Sequence, residues 1–542
     1  MTSTTEVTSP SEMQSSREVE RKYEAADEVS LPDPSCLLAA QNIGAAEDQQ
    51  LDAVYFDTPD LRLLRAGVTL RRREGGADPG WHLKLPVGKD SREELRVPLG
   101  QAQRTPPAEL TALTRVHTRG AEVAPVVRLC TRRRRWQLAD DDGRPLAELV
   151  DDRVTAHTMG SDTSDTSDIS DTSDTGAVSW REVEVELSEH GSVALLDQVE
   201  QRLLEAGARR SGAASKLSRV LADRLQGNTD RAEPDAGDSA GATVLAYLRE
   251  QADRLRRFDP LVRRDAPDSV HQMRVASRRL RSALQAYRRV LDRDATRPLT
   301  EELKWLAGEL APARDSEVMA ERFRAMVDQL PPELVLGPVS ATLDRTFARR
   351  QAEARERALA ALDSDRYLAL HDALDALLAH PPLTERAGRP AQRELPSHVR
   401  RALRRMRRGM AAIDRQPGGE QRDLALHETR KAAKRLRYAT EAAEPAVGQP
   451  ARRLRKRLKP VQNLLGDHQD SVVARPVLRE FGAQAHLDGG NGFTFGLLHG
   501  TEAARADRAE QRLPARWKRM TKPRNTRWLG RSATAPDPHD QR

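Results

Sequence analysis

The sequence predicts an α+β protein in which a closed antiparallel β-barrel with flanking helices precedes an all-helical, duplicated bundle. Short alternating polar and apolar runs, separated by Gly, Pro and Asp clusters, occupy residues 17–225 and predict strands. Helical periodicity replaces them over residues 243–519, and two sequence blocks recur within that half. A chain of 542 residues is also too long for one ordinary core, so at least two domains are expected.

Composition predicts how the two domains are bounded. Polar residues 1–16 predict a disordered tail, residues 226–242 a linker, and residues 520–542 a loose basic tail. The acidic repeat at residues 161–175 predicts a solvated loop between two strands of the barrel. The predicted helices of the barrel domain are Asp33–Ala40, Ala108–Arg115 and Ser192–Ala206.

The bulk composition predicts a cytoplasmic protein. Cys36 and Cys130 form neither a metal-binding spacing nor a disulfide framework, which fits a reducing compartment. The N-terminus lacks the apolar core of a signal peptide, and no apolar run is long enough to span a bilayer. The net charge of +7 is modest for this length, so the local distribution of charge matters more than the sum.

Strand parity gives the barrel an ionic face. Residues two apart in a strand point to the same side. The groups that share a face are Glu18/Glu20/Lys22, Arg71/Arg73, His82/Lys84, Glu148/Asp152 and Glu182/Glu184/Glu186. The other face of the last strand is apolar, with Val183, Val185 and Leu187. A closed barrel with a polar lumen and helices on its apolar outside accommodates both faces.

A lumen that mixes arginine, lysine and glutamate suits a metal-bound polyphosphate. Guanidinium groups bind phosphate oxygens through two hydrogen bonds, and lysines act as point charges. Paired carboxylates attract a hard cation such as Mg²⁺ or Mn²⁺, which also bridges phosphates and activates water. In this layout His82 is expected to be a polar neighbour in the lumen, not a ligand.

The helical half contains an internal repeat. His271 opens a block that recurs 156 residues later at His427, and a second block ends at Val318 and, 155 residues later, at Val473. Two blocks with nearly the same offset predict a duplicated bundle. Basic residues three or four apart form one stripe in each copy: His271/Arg274/Arg278/Arg281 and His427/Arg430/Lys434/Arg437. Two such stripes predict a basic groove for a long polyanion, with Asp315 and Asp470 orienting them.

Residues 17–225 resemble the CYTH domain, the triphosphate tunnel metalloenzyme fold. The matching motifs are ExExK at Glu18–Lys22, YFDT at Tyr55–Thr58, LRRR at Leu70–Arg73, Leu83-Lys84, Arg133 with Trp136, the acidic strand Glu182–Glu186, and Ser215-Lys216. The resemblance implies an eight-stranded antiparallel tunnel that hydrolyses triphosphates with a divalent metal.

Carried onto this sequence, the resemblance also implies the residues of the site. The implied phosphate-binding residues are Lys22, Arg71, Arg73, Lys84, Arg133 and Lys216. The implied metal ligands are Glu18, Glu20, Asp152, Glu184 and Glu186, and Glu18, Glu20 and Lys22 are the implied catalytic residues. Three alternatives stay open: Glu182 for a neighbouring glutamate, Asp151 for Asp152, and another arginine of the run 132–135 for Arg133.

Residues 243–519 resemble the CHAD domain, a duplicated helical module that often follows CYTH and is implied to bind inorganic polyphosphate. The matches are His271, Arg274, Arg278, Arg279 and Arg281, then His427, Arg430, Lys434, Arg435 and Arg437.

The predicted activity is therefore metal-dependent hydrolysis of tripolyphosphate or a related triphosphate, with polyphosphate bound by the helical half. The predicted location is the cytoplasm, including polyphosphate granules. Alternatives are adenylate cyclase or thiamine triphosphatase chemistry, and a polyphosphate-binding scaffold with an inactive barrel. Nucleic-acid binding through residues 400–408 and 452–459 is disfavoured, because stacking aromatic residues are scarce nearby.

Overall fold

The computed structural model describes residues 13–33, 42–88, 90–100, 104–159, 177–226 and 238–530. The chain divides into two compact units, Met1–Arg231 and Ala232–Arg542. The predicted loop at residues 161–175, Cys36, nearly all of the predicted helix Asp33–Ala40 and most of the predicted linker lie outside the described residues.

The first unit is built on an antiparallel sheet. Its strands are β1 (Gln14–Glu24), β2 (Asn42–Ile43), β3 (Glu47–Asp57), β4 (Thr69–Glu74), β5 (Gly80–Gly88), β6 (Ser91–Val97), β7 (Ala124–Ala139), β8 (Pro145–Thr158), β9 (Val178–Leu187) and β10 (Arg209–Arg210). Eight of them pair in the order β1-β6-β5-β4-β3-β7-β8-β9, and β9 pairs with β1 again. The predicted eight-stranded closed barrel is confirmed.

Strand β1 closes the barrel because it pairs with two different strands. Its first half, Gln14–Val19, lies against β6, and its second half, Glu20–Glu24, lies against β9. The strand begins at Gln14, inside the segment predicted as a disordered tail, since residues 14–16 add ladder pairs to β6. The ExExK motif therefore spans the point where β1 changes partner.

Helices cover the apolar outside of the barrel. They are α1 (Arg62–Arg65), α2 (Ala108–Thr118), α3 (Val193–Glu205), α4 (Lys216–Val220) and α5 (Ala222–Gln226). Val183 and Val185 of β9 are fully buried in one core cluster with Leu196, Val199 and Leu203 of α3. This burial of the apolar strand face leaves the ionic face to point into the lumen, as the parity argument predicts.

The second unit is helical throughout its described residues. Its helices are α6 (Ala240–Arg263), α7 (Ser269–Ala286), α8 (Arg293–Glu309), α9 (Ala311–Val327), α10 (Val339–Asp363), α11 (Asp365–Ala379), α12 (Ala391–Asp414), α13 (Gly419–Val447), α14 (Gln449–Leu487), α15 (Phe493–Met520) and α16 (Pro523–Thr526). The first repeated block lies on α7 and α13, and the second on α9 and α14. Leu529 is buried, so the helical unit extends past the predicted boundary at residue 519. Over the described residues, no helix is both long enough and apolar enough to cross a membrane.

Candidate functional site

The barrel lumen contains a cavity of about 450 Å³. Ten of the eleven predicted ligand-binding residues line it: Glu18, Glu20, Lys22, Arg71, Arg73, Lys84, Arg133, Glu184, Glu186 and Lys216. The eleventh, Asp152, lies behind the wall, fully buried, and binds Arg133 and Lys216. The ionic faces of separate strands therefore converge on one hollow.

Asp152, Glu182 and Glu184 form one carboxylate cluster in this wall, with oxygen atoms within 4.8 Å of one another. Arg133 binds Asp152 through Nε at 2.8 Å and Nη2 at 2.7 Å, and its Nη2 lies 3.3 Å from Glu184. Lys22 also binds Glu184. Burial would raise the pKa of Glu184, but Lys216, Lys22 and Arg133 outweigh it and hold that pKa well below its usual range.

Lys216 reaches the same cluster from the first turn of α4. Its ammonium lies 3.0 Å from Asp152, 2.5 Å from Glu182 and 2.9 Å from Glu184. Ser215 caps this short helix, since its hydroxyl accepts the Ser218 backbone N–H and Ser218 returns a bond to the Ser215 backbone. The matched Ser-Lys pair thus consists of a helix cap and the lysine that the cap positions.

A second carboxylate cluster comprises Glu18, Glu20, Glu148 and Glu186. Glu186 lies directly opposite Glu20 on β1 and Glu148 on β8, so the three side chains share the lumen face. Lys84 binds both oxygens of Glu18, at 2.9 and 2.7 Å, and Lys22 lies 3.1 Å from Glu20. Burial, followed by the negative charge of Glu18, raises the pKa of Glu186 to about 8.

The donor set of the second cluster fits a hard divalent cation. It supplies only carboxylate oxygens, which Mg²⁺ and Mn²⁺ prefer. Its negative charge is incompletely balanced, because no ion pair involving Glu186 occurs within the described ranges. The first cluster, Asp152, Glu182 and Glu184, could also hold a metal ion, although Arg133, Lys22 and Lys216 bind its carboxylates in this structure.

The structure places each of the alternative residues. Asp151 points away from the lumen and binds Arg181 at 2.8 Å through two contacts, so Asp152 is the lumen acid. Arg133 and Arg135 both line the cavity, while Arg132 and Arg134 are exposed on the outside. Arg133 binds Asp152, whereas Arg135 binds Glu47 and Glu148. Glu182 lies with Asp152 and Glu184 in the first cluster, whereas Glu186 lies in the second.

Sequence reasoning missed the contribution of β6. Glu94 is fully buried and lies 3.5 Å from Lys84, 3.7 Å from Arg71 and 3.0 Å from His82. Arg92 and Arg96, two residues to either side, also line the cavity. Their alternation with Glu94 has the same parity that identified the other strands, so the signal was present in the sequence.

His82 is a polar neighbour in the lumen, as expected. Its Nδ1 lies 3.0 Å from Glu94 and its Nε2 lies 3.1 Å from the main-chain oxygen of Asp78. Burial lowers the pKa of His82 to about 4. Asp78, in the turn between β4 and β5, also contacts Arg73 and lies 3.2 Å from Arg96. Neither a motif nor strand parity indicates this contact of Asp78, because the residue lies in a turn.

In the helical unit, the two basic stripes lie on α7 and α13 with equivalent acidic partners. Arg274 lies 3.0 Å from Asp315 of α9, and Arg430 lies 3.7 Å from Asp470 of α14. His427 Nδ1 lies 2.6 Å from Gln469, the counterpart of Arg314 in the first copy. The two repeats therefore adopt matching local arrangements.

The stripes meet at part of their length. Arg278, Arg281 and Lys434 line one cavity of about 400 Å³, whereas His271, His427 and Arg437 do not. Burial, and then the charges of Arg430 and Arg278, lower the pKa of Lys434 to about 7. Basic residues outnumber acids in this lining, where Glu301 is the one acid among Arg278, Arg281, Lys304, Lys431, Lys434 and Arg435, and this excess of positive charge favours an anionic ligand.

Comparisons with known proteins agree with this architecture. The CYTH domain matches residues 16–221 and the CHAD domain matches residues 246–479. An uncharacterized protein of Mycobacterium tuberculosis is 40% identical over 514 residues, which cover 93% of this chain and 96% of that protein. Thiamine-triphosphatase of Macaca fascicularis is 39% identical over 71 residues, 13% of this chain and 26% of that enzyme.

Among solved structures, PptA from Streptomyces chartreusis aligns with a TM-score of 0.44 and 25% sequence identity, over 52% of this chain and 99% of that chain. The CYTH family comprises triphosphatases and adenylate cyclases that generally depend on divalent metals, which agrees with the carboxylate clusters of the lumen. With its CYTH tunnel followed by a CHAD bundle, the chain belongs to the family of CYTH–CHAD domain proteins.

Proposed function

We propose that the barrel hydrolyses inorganic tripolyphosphate, or a closely related triphosphate, with Mg²⁺ or Mn²⁺. The observation that carries the proposal is the convergence of nine basic side chains on one cavity whose lining also contains Glu18, Glu20, Glu184 and Glu186. Ionic contacts to a bound polyanion are stronger in such a cavity than on an open surface, because the protein wall has a lower dielectric constant than water.

Each group has a role that follows from its chemistry. Arg71, Arg73 and Arg133 would bind phosphate oxygens through paired N–H groups, and Lys22, Lys84 and Lys216 would add point charges. Arg71 and Arg73 each keep a buried Nε without a hydrogen-bond partner, so both retain donors for a ligand. Glu18, Glu20, Asp152, Glu184 and Glu186 would hold the metal, and Asp152 and Glu184 also contact Arg133 and Lys216.

Hydrolysis forms one bond between a water oxygen and a terminal phosphorus and breaks one P–O–P bond, so that tripolyphosphate yields orthophosphate and diphosphate. When bound, the metal supplies a Lewis acid that neutralises developing charge on the phosphoryl oxygens and activates water. The basic side chains hold the tripolyphosphate so that the attacking water, the terminal phosphorus and the leaving oxygen lie in line. They also stabilise the oxygens of the leaving diphosphate.

The test measures phosphate release from tripolyphosphate with Mg²⁺, Mn²⁺ and no metal. We expect metal-dependent release by the full chain and its loss in Glu18→Gln/Glu20→Gln. The matched control, Glu74→Gln/Glu205→Gln, removes two exposed carboxylates from the same unit. Absence of release with any divalent metal would refute hydrolysis and leave the alternative of a scaffold with an inactive barrel.

Thiamine triphosphate is a second candidate substrate, favoured by the 71-residue similarity to thiamine-triphosphatase. All triphosphates share the phosphate-binding groups, so a panel of tripolyphosphate, thiamine triphosphate, ATP and long polyphosphate decides between them. Formation of cyclic AMP from ATP would indicate cyclase chemistry instead.

For the helical unit, the proposed ligand is inorganic polyphosphate bound by the two stripes. The support is the cavity lined by Arg278, Arg281 and Lys434, where basic side chains outnumber the single acid, Glu301, and where burial and neighbouring arginines lower the pKa of Lys434 to about 7. We expect Arg278→Gln/Lys434→Gln to weaken polyphosphate binding. Equal affinity for polyphosphate and for single-stranded DNA across a salt titration would indicate generic electrostatic attraction.

A further inference from the structure

The helical unit has a second basic cavity outside the two stripes. It has a volume of about 690 Å³ and is lined from α7, α8, α12, α13 and the segment after α7. We call it the arginine cavity, after the residues Arg288, Arg293, Arg297, Arg401, Arg404, Arg405, Arg408 and Arg435 in its lining. The same lining contains one acid, Glu301.

The arginines contributed by α12 lie on one face of that helix. Arg401, Arg404, Arg405 and Arg408 follow the spacing i, i+3, i+4, i+7 and extend about 10 Å along it. Like charges four residues apart destabilise a helix. Within the described ranges none of the four has an ion pair, whereas Arg366 binds Glu302 and Arg357 binds Glu309 at 2.6 Å elsewhere in the unit.

Arg401 shows the imbalance most clearly. Its Nη1 is buried without a hydrogen-bond partner. Burial, followed by the charges of Arg289 and Arg288, lowers its pKa. An adjoining cavity of about 540 Å³ shares Arg401 and Arg404, and adds Arg393, Arg400 and the pairs of Arg386 and Arg389 with Glu394. A bound anion would supply the charge and the acceptor that Arg401 lacks.

The arginine cavity is continuous with the stripes. Ser282, Gln285, Thr300, Glu301 and Arg435 line both it and the cavity of Arg278, Arg281 and Lys434. Arg435 lines both cavities. Burial, followed by the charges of Arg405 in the arginine cavity and Arg281 in the stripes, lowers its pKa. A flexible anionic chain that contacts the stripes can therefore continue onto α12 without leaving positively charged surface.

We propose that the arginine cavity binds the continuation of a long inorganic polyphosphate chain whose first segment occupies the stripes. The inference rests on the proposed function of the helical unit and extends it to chain length: long chains contact both surfaces, and tripolyphosphate contacts only one. A chain without bases fits better than a nucleic acid, because no Phe, Tyr or Trp lines the arginine cavity.

The experiment measures binding of long-chain polyphosphate and of tripolyphosphate to the full chain carrying Glu18→Gln/Glu20→Gln, which prevents turnover. The test variant adds Arg404→Gln/Arg408→Gln. The matched control adds Arg345→Gln/Arg349→Gln, two exposed arginines at the same spacing on α10, outside the lining of these cavities. Of the two variants, we expect only the test variant to bind long polyphosphate about tenfold more weakly. The slope of log affinity against log salt concentration should also decrease by about one to two, because fewer counterions are released on binding.

Long polyphosphate should also bind more weakly to Arg278→Gln/Lys434→Gln, the stripe variant. Tripolyphosphate, which the tunnel of the first unit is proposed to bind as well, should bind the test variant and its parent equally. Wild-type binding that responds to the stripe variant and not to Arg404→Gln/Arg408→Gln would overturn this inference while leaving the proposed function intact. Absence of polyphosphate binding by the wild type would refute both. Equal losses for long and short ligands, or equal affinity for single-stranded DNA, would refute the continuous polyphosphate path.

Discussion

Arg133 and Asp152 form a two-point ion pair across neighbouring strands, with nitrogen–oxygen distances of 2.8 and 2.7 Å. Asp152 is fully buried. Burial would raise its pKa, but the charges of Lys216 and Arg133 outweigh burial and hold that pKa below its usual value. The pair fixes the plane of the guanidinium at the wall of the cavity. Nη2 of Arg133 also lies 3.3 Å from Glu184, and the guanidinium lines the lumen.

Replacing Arg133 with lysine should lower the rate of tripolyphosphate hydrolysis by about 10- to 100-fold, because an ammonium cannot reproduce the planar fork. The matched control is Arg132→Lys, which changes an exposed arginine on the outer face of the same strand. Steady-state kinetics of both variants provide the measurement. Similar losses in the two would contradict the assignment of Arg133 to the lumen.

Removing the charge of Asp78 should strengthen substrate binding. Its carboxylate contacts Arg73 and lies 3.2 Å from Arg96, so a phosphate that binds these guanidinium groups must displace it. We expect Asp78→Asn to lower KM for tripolyphosphate by about tenfold, which corresponds to 1.4 kcal/mol of competition removed. Asp142→Asn, in an exposed turn, should leave KM unchanged. An unchanged or higher KM in Asp78→Asn would show that Asp78 only shapes its turn.

Polyphosphate binding should take up protons above pH 7. Burial and nearby arginines lower the pKa of Lys434 to about 7. In the free protein, the Lys434 side chain therefore loses its positive charge as the pH rises above 7. A polyanion favours the charged lysine, and affinity should therefore fall from pH 7 to 9 by less than about tenfold per pH unit. Calorimetry at pH 8 in buffers of different ionisation enthalpy measures the uptake. Lys434→Arg, which restores the residue type of Arg278, should abolish this uptake, and an unaltered uptake would implicate another group.

The Arg322–Glu502 pair should contribute strongly to stability. Glu502 is fully buried, and Arg322 binds it at 2.8 and 2.5 Å while Ser471 donates to it at 2.7 Å, linking α9, α14 and α15. Arg322→Met should cost about 3 kcal/mol because it leaves a buried carboxylate short of a partner. Arg324→Met breaks an exposed pair with Asp344 and should change stability by less than about 1 kcal/mol. Urea unfolding followed by circular dichroism compares the two.

Strand parity predicted most of the lumen, because a period of two assigns a face independently of how the strands pair. Asp152 over Asp151 followed from its parity with Glu148, and the structure places these residues accordingly. The same rule would have found Glu94 between Arg92 and Arg96. Arg92, Glu94 and Arg96 alternate along β6 with the same period of two.

Other features depend on contacts that periodicity does not encode. Asp78 lies in a turn, where no repeating pattern determines the direction of a side chain. The arginine cavity joins Arg297 of α8 to Arg401 of α12, more than a hundred residues apart, and their proximity depends on how the helices pack. The two basic stripes could be recognised in the sequence because the second copy repeats the residue spacing of the first.

The pairing of Glu20 with Glu186 has a kinetic consequence for synthesis of the protein. The first strand cannot complete its ladder until β9 has been made, an interval on the order of ten to thirty seconds at usual translation rates. Such a distant contact slows folding. Until then the ionic face remains open to solvent. The tunnel therefore becomes enclosed only in the final step of barrel assembly.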